Sequence, residues 1–216
     1  YKSFTSAQIA GLDTAKTAQL TPLIVQVLSS EQIGAFTPTA LAAIPERAFS
    51  ELTVKNIVGL NSEQVSALTS KQISALKPEL FAFLTSTQTA GFKPEQVKTL
   101  GSSSLMNLSN DAFAALPTDV ISALDAKILS QFSANDFSAF TAEQIAALTP
   151  TQTAALTATQ ISGLDAAKVA AIETQDLAAL PSNAISGFNA QNIEGLDISK
   201  VKEAGQLGNF KPDQFK

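Results

Sequence analysis

Residues 140–156 read Phe-Thr-Ala-Glu-Gln-Ile-Ala-Ala-Leu-Thr-Pro-Thr-Gln-Thr-Ala-Ala-Leu, which is an eight-residue motif written twice and begun a third time. We call the motif an octad and label its positions a to h, starting at Phe140. Counting in eights from Phe140 places Leu, Ile or Phe at every position a from Phe4 to Leu196, with no insertion or deletion. Position f is apolar too, except for Thr17, Thr89 and Thr153. A repeat this short and regular predicts a solenoid, in which each octad is stable only against its neighbours.

The polar positions of the octad predict short helices. Position b is mostly Ser, Thr, Asp or Asn, and position e, three residues later, is most often Gln. This spacing is a capping box, in which the b side chain accepts the e amide proton and the Gln side chain reaches back to the b amide. Eight of the nine prolines lie at b or c, where the start of a helix tolerates a missing N–H. Each octad therefore begins a new helix.

Two other arrangements of the same pattern fail. In one continuous helix, eight residues advance by about 800°, so the apolar stripe would rotate by roughly 80° per octad, and the prolines would break the helix. In a strand, positions a and f would face opposite sides, and Ala and Gln are poor strand formers. A succession of helical turns fits the pattern better than either.

The sequence thus predicts an all-α solenoid of about 25 octapeptide repeats over residues 4–203, each one short capped helix, with a central apolar core built from positions a and f. Small residues at g and h would let successive coils approach closely. Three or four octads per coil are both compatible with the pattern. We expect a single domain over 1–216, in which residues 204–216 form an irregular C-terminal cap. The start at Tyr1 suggests a processed or excised piece of chain.

Composition argues against several kinds of chemistry. The chain has no His or Cys, which excludes catalytic triads, thiol chemistry and sulfur-ligated metals. Its 14 basic and 19 acidic residues are spread evenly, which disfavours a nucleic-acid partner, and no apolar run approaches the ~18 residues of a membrane span. Acids at d read as favourable charges in first helical turns, and aspartates at b as N-caps. We therefore predict no catalytic, cofactor-binding or metal site. The d acids are Glu31, Glu63, Glu95 and Glu143, and the b aspartates are Asp13, Asp125, Asp165 and Asp197.

The octad Leu-Thr-x-x-Gln-Ile-x-Ala, seen at Phe140-Thr-Ala-Glu-Gln-Ile-Ala-Ala-Leu-Thr-Pro, resembles repeats of large surface or secreted proteins. It is also similar to the Leu-Ser/Thr-Pro-Glu-Gln/Glu-Leu stretches of the mesothelin, stereocilin and otoancorin superfamily. The resemblance spans the octads from Phe4 to Glu203. It implies an extracellular or cell-surface protein with a structural or adhesive role and no catalysis.

Two apolar clusters lie away from positions a and f and are candidate contacts for a partner. One comprises Leu23, Ile24 and Val27, and the other comprises Leu80 and Phe83. Wider coils could equally bury them. We expect a non-catalytic scaffold that binds a protein or matrix partner. The alternatives are a self-assembling filament or matrix subunit built by homotypic end-to-end contacts and, ranked lower, an ice- or surface-binding protein.

Overall fold

The computed structural model describes residues 4–215, and within them the chain is built from short helices without a β-strand. Within these residues no helix is longer than six residues, and every octad contributes one. The predicted all-α solenoid of short helices is confirmed. The α-helices are α1 (Ser6–Ala10), α2 (Thr14–Thr17), α3 (Pro22–Gln26), α4 (Ser30–Gly34), α5 (Pro38–Ala42), α6 (Glu46–Phe49), α7 (Val54–Ile57), α8 (Ser62–Ala67), α9 (Ser70–Ala75), α10 (Ser86–Thr89), α11 (Pro94–Val97), α12 (Ser102–Met106), α13 (Asn110–Ala114), α14 (Thr118–Ser122), α15 (Ala126–Leu129), α16 (Ala134–Ser138), α17 (Ala142–Ala146), α18 (Pro150–Thr153), α19 (Ala158–Ser162), α20 (Ala166–Ala170), α21 (Thr174–Ala179) and α22 (Ile198–Glu203). The 3-10 helices are η1 (Pro78–Phe83), η2 (Ile185–Gly187), η3 (Ile193–Gly195), η4 (Leu207–Asn209) and η5 (Pro212–Phe215).

The chain divides into two compact units, an N-terminal unit that ends at Val120 and a C-terminal unit that begins at Ile121. In each unit a helix packs against the helix three octads further along the chain. In the N-terminal unit α1 contacts α4, α2 contacts α5 and α3 contacts α6, and in the C-terminal unit α16 contacts α19 and α18 contacts α21. Each coil therefore contains three octads, which decides between the three or four that the sequence allowed. The single domain over 1–216 stays a prediction.

The helices begin as the capping pattern predicts. At α9 the Thr69 hydroxyl accepts the Gln72 amide proton at 3.2 Å, and the Thr69 amide donates to Gln72 Oε1 at 3.0 Å. Thr69 itself is extended, with φ −73° and ψ 155°. These bonds satisfy amide groups that have no partner within the helix. The same box forms in both compact units, for example at α1, α4, α8, α10, α17, α18 and α19.

Positions a and f form the core, as predicted. Among the 25 a positions only Phe4 and Leu12 are not buried, and among the f positions only Ile193 is not. Burying two large side chains per octad contributes about 3–6 kcal/mol, which is too little to order eight residues without the neighbouring coils.

The small residues at g and h allow close coil-to-coil contact. A Cβ on Gly59, at position h, would overlap the backbone of Ser30 in the preceding coil, and in the C-terminal unit one on Gly187 would overlap Ala158. The backbones therefore approach more closely there than any side chain allows.

The residues after Glu203 continue the inter-coil bonding with a shorter spacing. Gly205 takes a left-handed conformation, with φ +73°, and η4 and η5 follow. The Gln206 amide donates to the carbonyl oxygens of Leu177 and Leu180, 29 and 26 residues earlier, each at 2.9 Å. The other coils use 31 and 28 residues, so this segment is two residues short. That 204–216 acts as a cap stays a prediction.

Candidate functional site

The most repeated polar contact in the molecule is made by the glutamine at position e. At α10, Gln88 Oε1 accepts the Thr85 amide proton at 2.9 Å, which caps the helix. Its Nε2 donates to the carbonyl oxygens of Ile57 and Leu60 in the preceding coil, both at 2.8 Å. The Ile57 carbonyl lies at the end of α7, where it also accepts the Leu60 amide proton at 3.3 Å, and Leu60 begins the next octad. One buried amide thus caps its own helix and satisfies the end of another.

This bond pattern recurs with a constant register. The acceptors lie 31 and 28 residues earlier, at positions f and a, and the donor side chains are almost fully buried. The sequence predicted the capping half of this contact and missed the inter-coil half, because Gln at N3 is already explained by a capping box. Glutamines that use both acceptors include Gln64, Gln72, Gln88 and Gln96 in the N-terminal unit and Gln152 and Gln160 in the C-terminal unit.

Other donors at position e take over part of the contact. The Asn56 amide reaches the carbonyl oxygens of Val25 and Leu28. The Lys200 ammonium donates to the carbonyl oxygen of Ile172, 28 residues earlier, at 3.2 Å. What these side chains share with Gln is an N–H group, which is the group that binds the carbonyl oxygens of the preceding coil in these octads.

The threonines at position f satisfy their hydroxyl groups on carbonyl oxygens of their own helical turn. Thr17 Oγ1 donates to Asp13 O at 2.8 Å, as threonines within helices often do. Thr89 differs, because the shortest contact of its Oγ1 is with Ala112 O, 23 residues later in the next coil, and at 2.6 Å that carbonyl takes the single proton. The threonines are therefore internal parts of the coil contacts and do not line a groove.

Asp176 is the buried exception at position e. Its side chain is 1% exposed, and within residues 4–215 neither carboxylate oxygen has a hydrogen-bonding partner. Burial and, to a lesser extent, the nearby Glu173 carboxylate together raise its pKa to about 6. The Thr153 hydroxyl lowers the pKa in part, and its oxygen also lies 3.2 Å from Thr149 O and 3.1 Å from Pro150 O, which compete for its single proton.

Asp176 was not singled out from the sequence, although its register carries a signal. It is an acid at the position of the glutamine donor, and the b residue of the same octad, Glu173, is also an acid. Asp136, another acid at e, forms a capping box with Ser133 and is partly exposed. Acids at both b and e of one octad occur only at Glu173 and Asp176, and this pairing distinguishes Asp176.

The d acids and b aspartates named from the sequence lie where it placed them, at helix N-termini. The predicted N-cap aspartates each accept a backbone amide proton; Asp13, for example, accepts from Lys16 N at 2.8 Å. That bond lowers the pKa of Asp13, and at Asp165 the pKa is lowered chiefly by the hydrogen bond from the Lys168 ammonium. Backbone amide donation lowers the pKa of Glu143, with help from the Thr141 hydroxyl. Capping explains these carboxylates.

The predicted partner-contact residues divide into exposed and buried ones. Leu23 is 77% exposed, Val27 is exposed and Ile24 is half-buried. Phe83 is exposed, whereas Leu80 is buried at position e of η1 and belongs to the core. The first cluster therefore offers an apolar surface, and in the second cluster only Phe83 does.

Three further exposed apolar residues belong with Phe83. Val54, Val58 and Met106 lie in the octads one coil before and one coil after that of Phe83. Val58 is at g and Phe83 at h of the next coil, and the equivalent pair, Ser74 and Thr99, has its hydroxyl oxygens 2.6 Å apart. We call Val54, Val58, Phe83 and Met106 the apolar patch. Large residues at g and h, where Ala, Ser and Gly prevail, are the signal that could have revealed it.

An enclosed cavity of about 10 Å³ lies beside Thr153 in the C-terminal unit and is otherwise lined by aliphatic core residues. It has room for about one water molecule and for no organic substrate. Among residues 4–215 no group of three or more acidic side chains is arranged to hold a metal ion. No helix in that part of the chain is long and apolar enough to cross a bilayer.

Neither a protein-family model nor a curated protein sequence matches this chain.

Proposed function

We propose that this protein is a non-catalytic structural and interaction scaffold that acts outside the cell or at the cell surface. The observation that supports it most is that the polar side chains of the octads are engaged in hydrogen bonds to the backbone. The buried glutamine amides bind carbonyl groups of the preceding coil, and capping acids bind backbone amides. This arrangement resists separation of coils and leaves these groups unavailable for chemistry on a substrate.

The apolar patch supports the interaction part of the proposal. Its members are between 37% and 50% exposed, and they lie on the same column of octads in three successive coils. An exposed cluster of this kind is typical of a surface that binds another protein. Leu23 and Val27 provide a second such area near the first coil.

A scaffold that bears load should come apart coil by coil. We expect that pulling on the two ends of the chain in a single-molecule force experiment gives repeated length increments of one coil, which is 24 residues or about 80 Å of extended chain. The glutamine bonds join one coil to the next, so the coil is the smallest piece that separates cleanly. A single event that unravels either compact unit at once, at low force, would contradict a mechanical role.

Location is tested separately. An antibody raised against the chain should label intact, non-permeabilised cells that produce it, or their surrounding matrix. Labelling that appears only after permeabilisation would reject the surface or extracellular part of the proposal and leave the scaffold part standing.

A self-assembling filament is a second candidate, because a solenoid can stack on copies of itself through heterologous contacts. Phe4, at position a, is 36% exposed, and Phe215, which follows Gln214 as an f residue follows e, is 48% exposed. Stacking of copies would cover both side chains. Sedimentation over a hundredfold range of concentration should show growing mass, and Phe215→Ser should reduce that growth. A constant mass would exclude the filament.

A further inference from the structure

Asp176 lies at position e, where Gln, Asn or Lys in other octads donates to carbonyl oxygens of the preceding coil. It is on α21, which packs between α18 of the preceding coil and α22 of the following one. The glutamine acceptors lie 31 and 28 residues before position e, and the residues related in this way to Asp176 are Ile145 and Leu148. An ionised carboxylate cannot donate to a carbonyl oxygen, whereas a protonated one can. The contact therefore favours the neutral acid.

The rest of the chain shows that an acid is not needed for packing here. Thr17, Thr89 and Thr153 are the three polar f residues, and the e residues 23 positions after them are Ala40, Ala112 and Asp176. Ala40 and Ala112 are buried without difficulty. Alanine thus fills the corresponding place twice, and the carboxyl group of Asp176 adds something other than packing.

We propose that Asp176 makes the contact of α21 with its neighbouring coils a pH-sensitive switch, closed when the carboxyl group is protonated and loosened when it ionises. The charged groups around it favour this behaviour. Glu173 on the same octad repels the ionised form, and α18 carries no titratable residue. On α22, the Lys200 ammonium donates to the carbonyl oxygens of Ala170 and Ile172. Lys202 and Glu203, also on α22, are both exposed.

The direction of the pH dependence follows from the pKa of Asp176. Its folded-state value of about 6 lies above the ordinary 3.8, so between these pH values the folded protein holds a proton that the unfolded chain has lost. The stabilising contribution of this group is complete below about pH 3.8 and is lost as pH rises through about 6. The capping acids Asp13 and Asp165 have lowered pKa values and act in the opposite sense, because their contribution is lost as pH falls.

The test compares the full chain with Asp176→Ala, the residue found at the two sister positions, and with Asp176→Asn. Urea unfolding of each is followed between pH 4 and pH 8. The unfolding equilibrium constant of the unmodified chain, divided by that of Asp176→Ala, should rise by about a hundredfold between pH 4 and pH 8. The unmodified chain thus becomes less stable relative to the variant as pH rises. Amide exchange at pH 7.5 should be faster in α21 of the unmodified chain than in Asp176→Ala, with α15, in the same unit, unchanged.

Three results would overturn the switch. The first is an identical pH profile for the unmodified chain and Asp176→Ala, and the second is equal acceleration of exchange in α15 and α21. The third uses no variant: if NMR titration of the Asp176 carboxyl carbon gives a pKa near 4, the group is ionised in the closed coil. That measurement keeps the proposal testable if a substitution prevents folding.

Discussion

The glutamine at position e shows how much one side chain contributes to this fold. An amide has an acceptor and a donor on one carbon, so Gln88 can cap its own helix and bind two carbonyl groups of the preceding coil. A carboxylate offers only acceptors and an ammonium only donors, so neither can make both contacts. Among the described residues, Asp176 has no hydrogen bond to the preceding coil, whereas Lys200 donates to that coil but has no side-chain acceptor with which to cap its own helix.

Gln88→Glu should therefore destabilise the protein at neutral pH. The change keeps the capping acceptor but turns the donor into a carboxylate oxygen that faces the carbonyl groups of Ile57 and Leu60. We expect a loss of about 3 kcal/mol in the free energy of unfolding, measured by urea titration at pH 7. Part of it should return at pH 4.5, where the buried acid is protonated.

Gln8→Glu is the matched control for this substitution. Gln8 forms the same capping box but lies in the first coil and is exposed. Its replacement should change the free energy of unfolding by no more than about 0.5 kcal/mol. Equal losses at the two positions would mean that capping, and not the bond between coils, is what the glutamine contributes.

At the scale of the helix, the length of each element is set by its two ends. The b residue caps the start, and about one and a half turns later the small g and h residues let the chain turn and the coils meet. The elements are too short to be stable alone, so their stability is shared with the coils on either side. The coils can stabilise one another only if their backbones approach closely at position h.

Gly59→Ala should be costly because its Cβ would overlap the backbone of Ser30 in the preceding coil. We expect a loss of about 2 kcal/mol in the free energy of unfolding. Gly11 occupies the same position h in the first coil, and a Cβ there meets only Ala7 O at 3.6 Å and Gln8 O at 3.7 Å. Gly11→Ala should be neutral or stabilising by up to about 1 kcal/mol. Equal effects would refute close coil approach.

Leu80 and Phe83 in η1 separate core packing from surface contact. Leu80→Ser removes a buried side chain and should cost about 3 kcal/mol in the free energy of unfolding. Phe83→Ser should cost about 1 kcal/mol or less, since nearly half of that side chain is exposed. Thermal and urea unfolding measure both. A large loss at Phe83 would show that it belongs to the core and would remove it from the apolar patch.

At the scale of the whole molecule, the periodic features were predictable and the exceptions were not. Positions a and f gave the core, and Thr-x-x-Gln gave the helix starts, because each follows from local spacing. Three octads per coil was not predictable, since that number depends on which octads meet across 24 residues. Nor was the unpartnered carboxyl of Asp176, because its environment is supplied by other coils.

Because the octads are interchangeable, the fold should tolerate loss of a whole one. Deleting residues 68–75 joins Ala67 to Leu76 and keeps the spacing of every later donor to a position f and a position a. We expect a folded protein with an unchanged shape of the far-ultraviolet circular dichroism spectrum and a cooperative thermal transition. Deleting only residues 68–71 shifts the register by half an octad and should abolish cooperative unfolding. If both deletions behave alike, the eight-residue register does not govern stability.

The glutamine bond joins each coil to the preceding one, and this has a consequence for how the chain finds its native state. Most coils present the same donors and acceptors. A coil can therefore pair during folding with a segment displaced from its native partner by a multiple of eight residues, at nearly the same energy as the native pairing. Contacts outside the repeated pattern, such as Thr89 with Ala112, are lost when the register is displaced, so they favour the native pairing of coils. Substitutions that remove these contacts should slow refolding, because misfolded species with a displaced register become populated. The stability of the native state should change little.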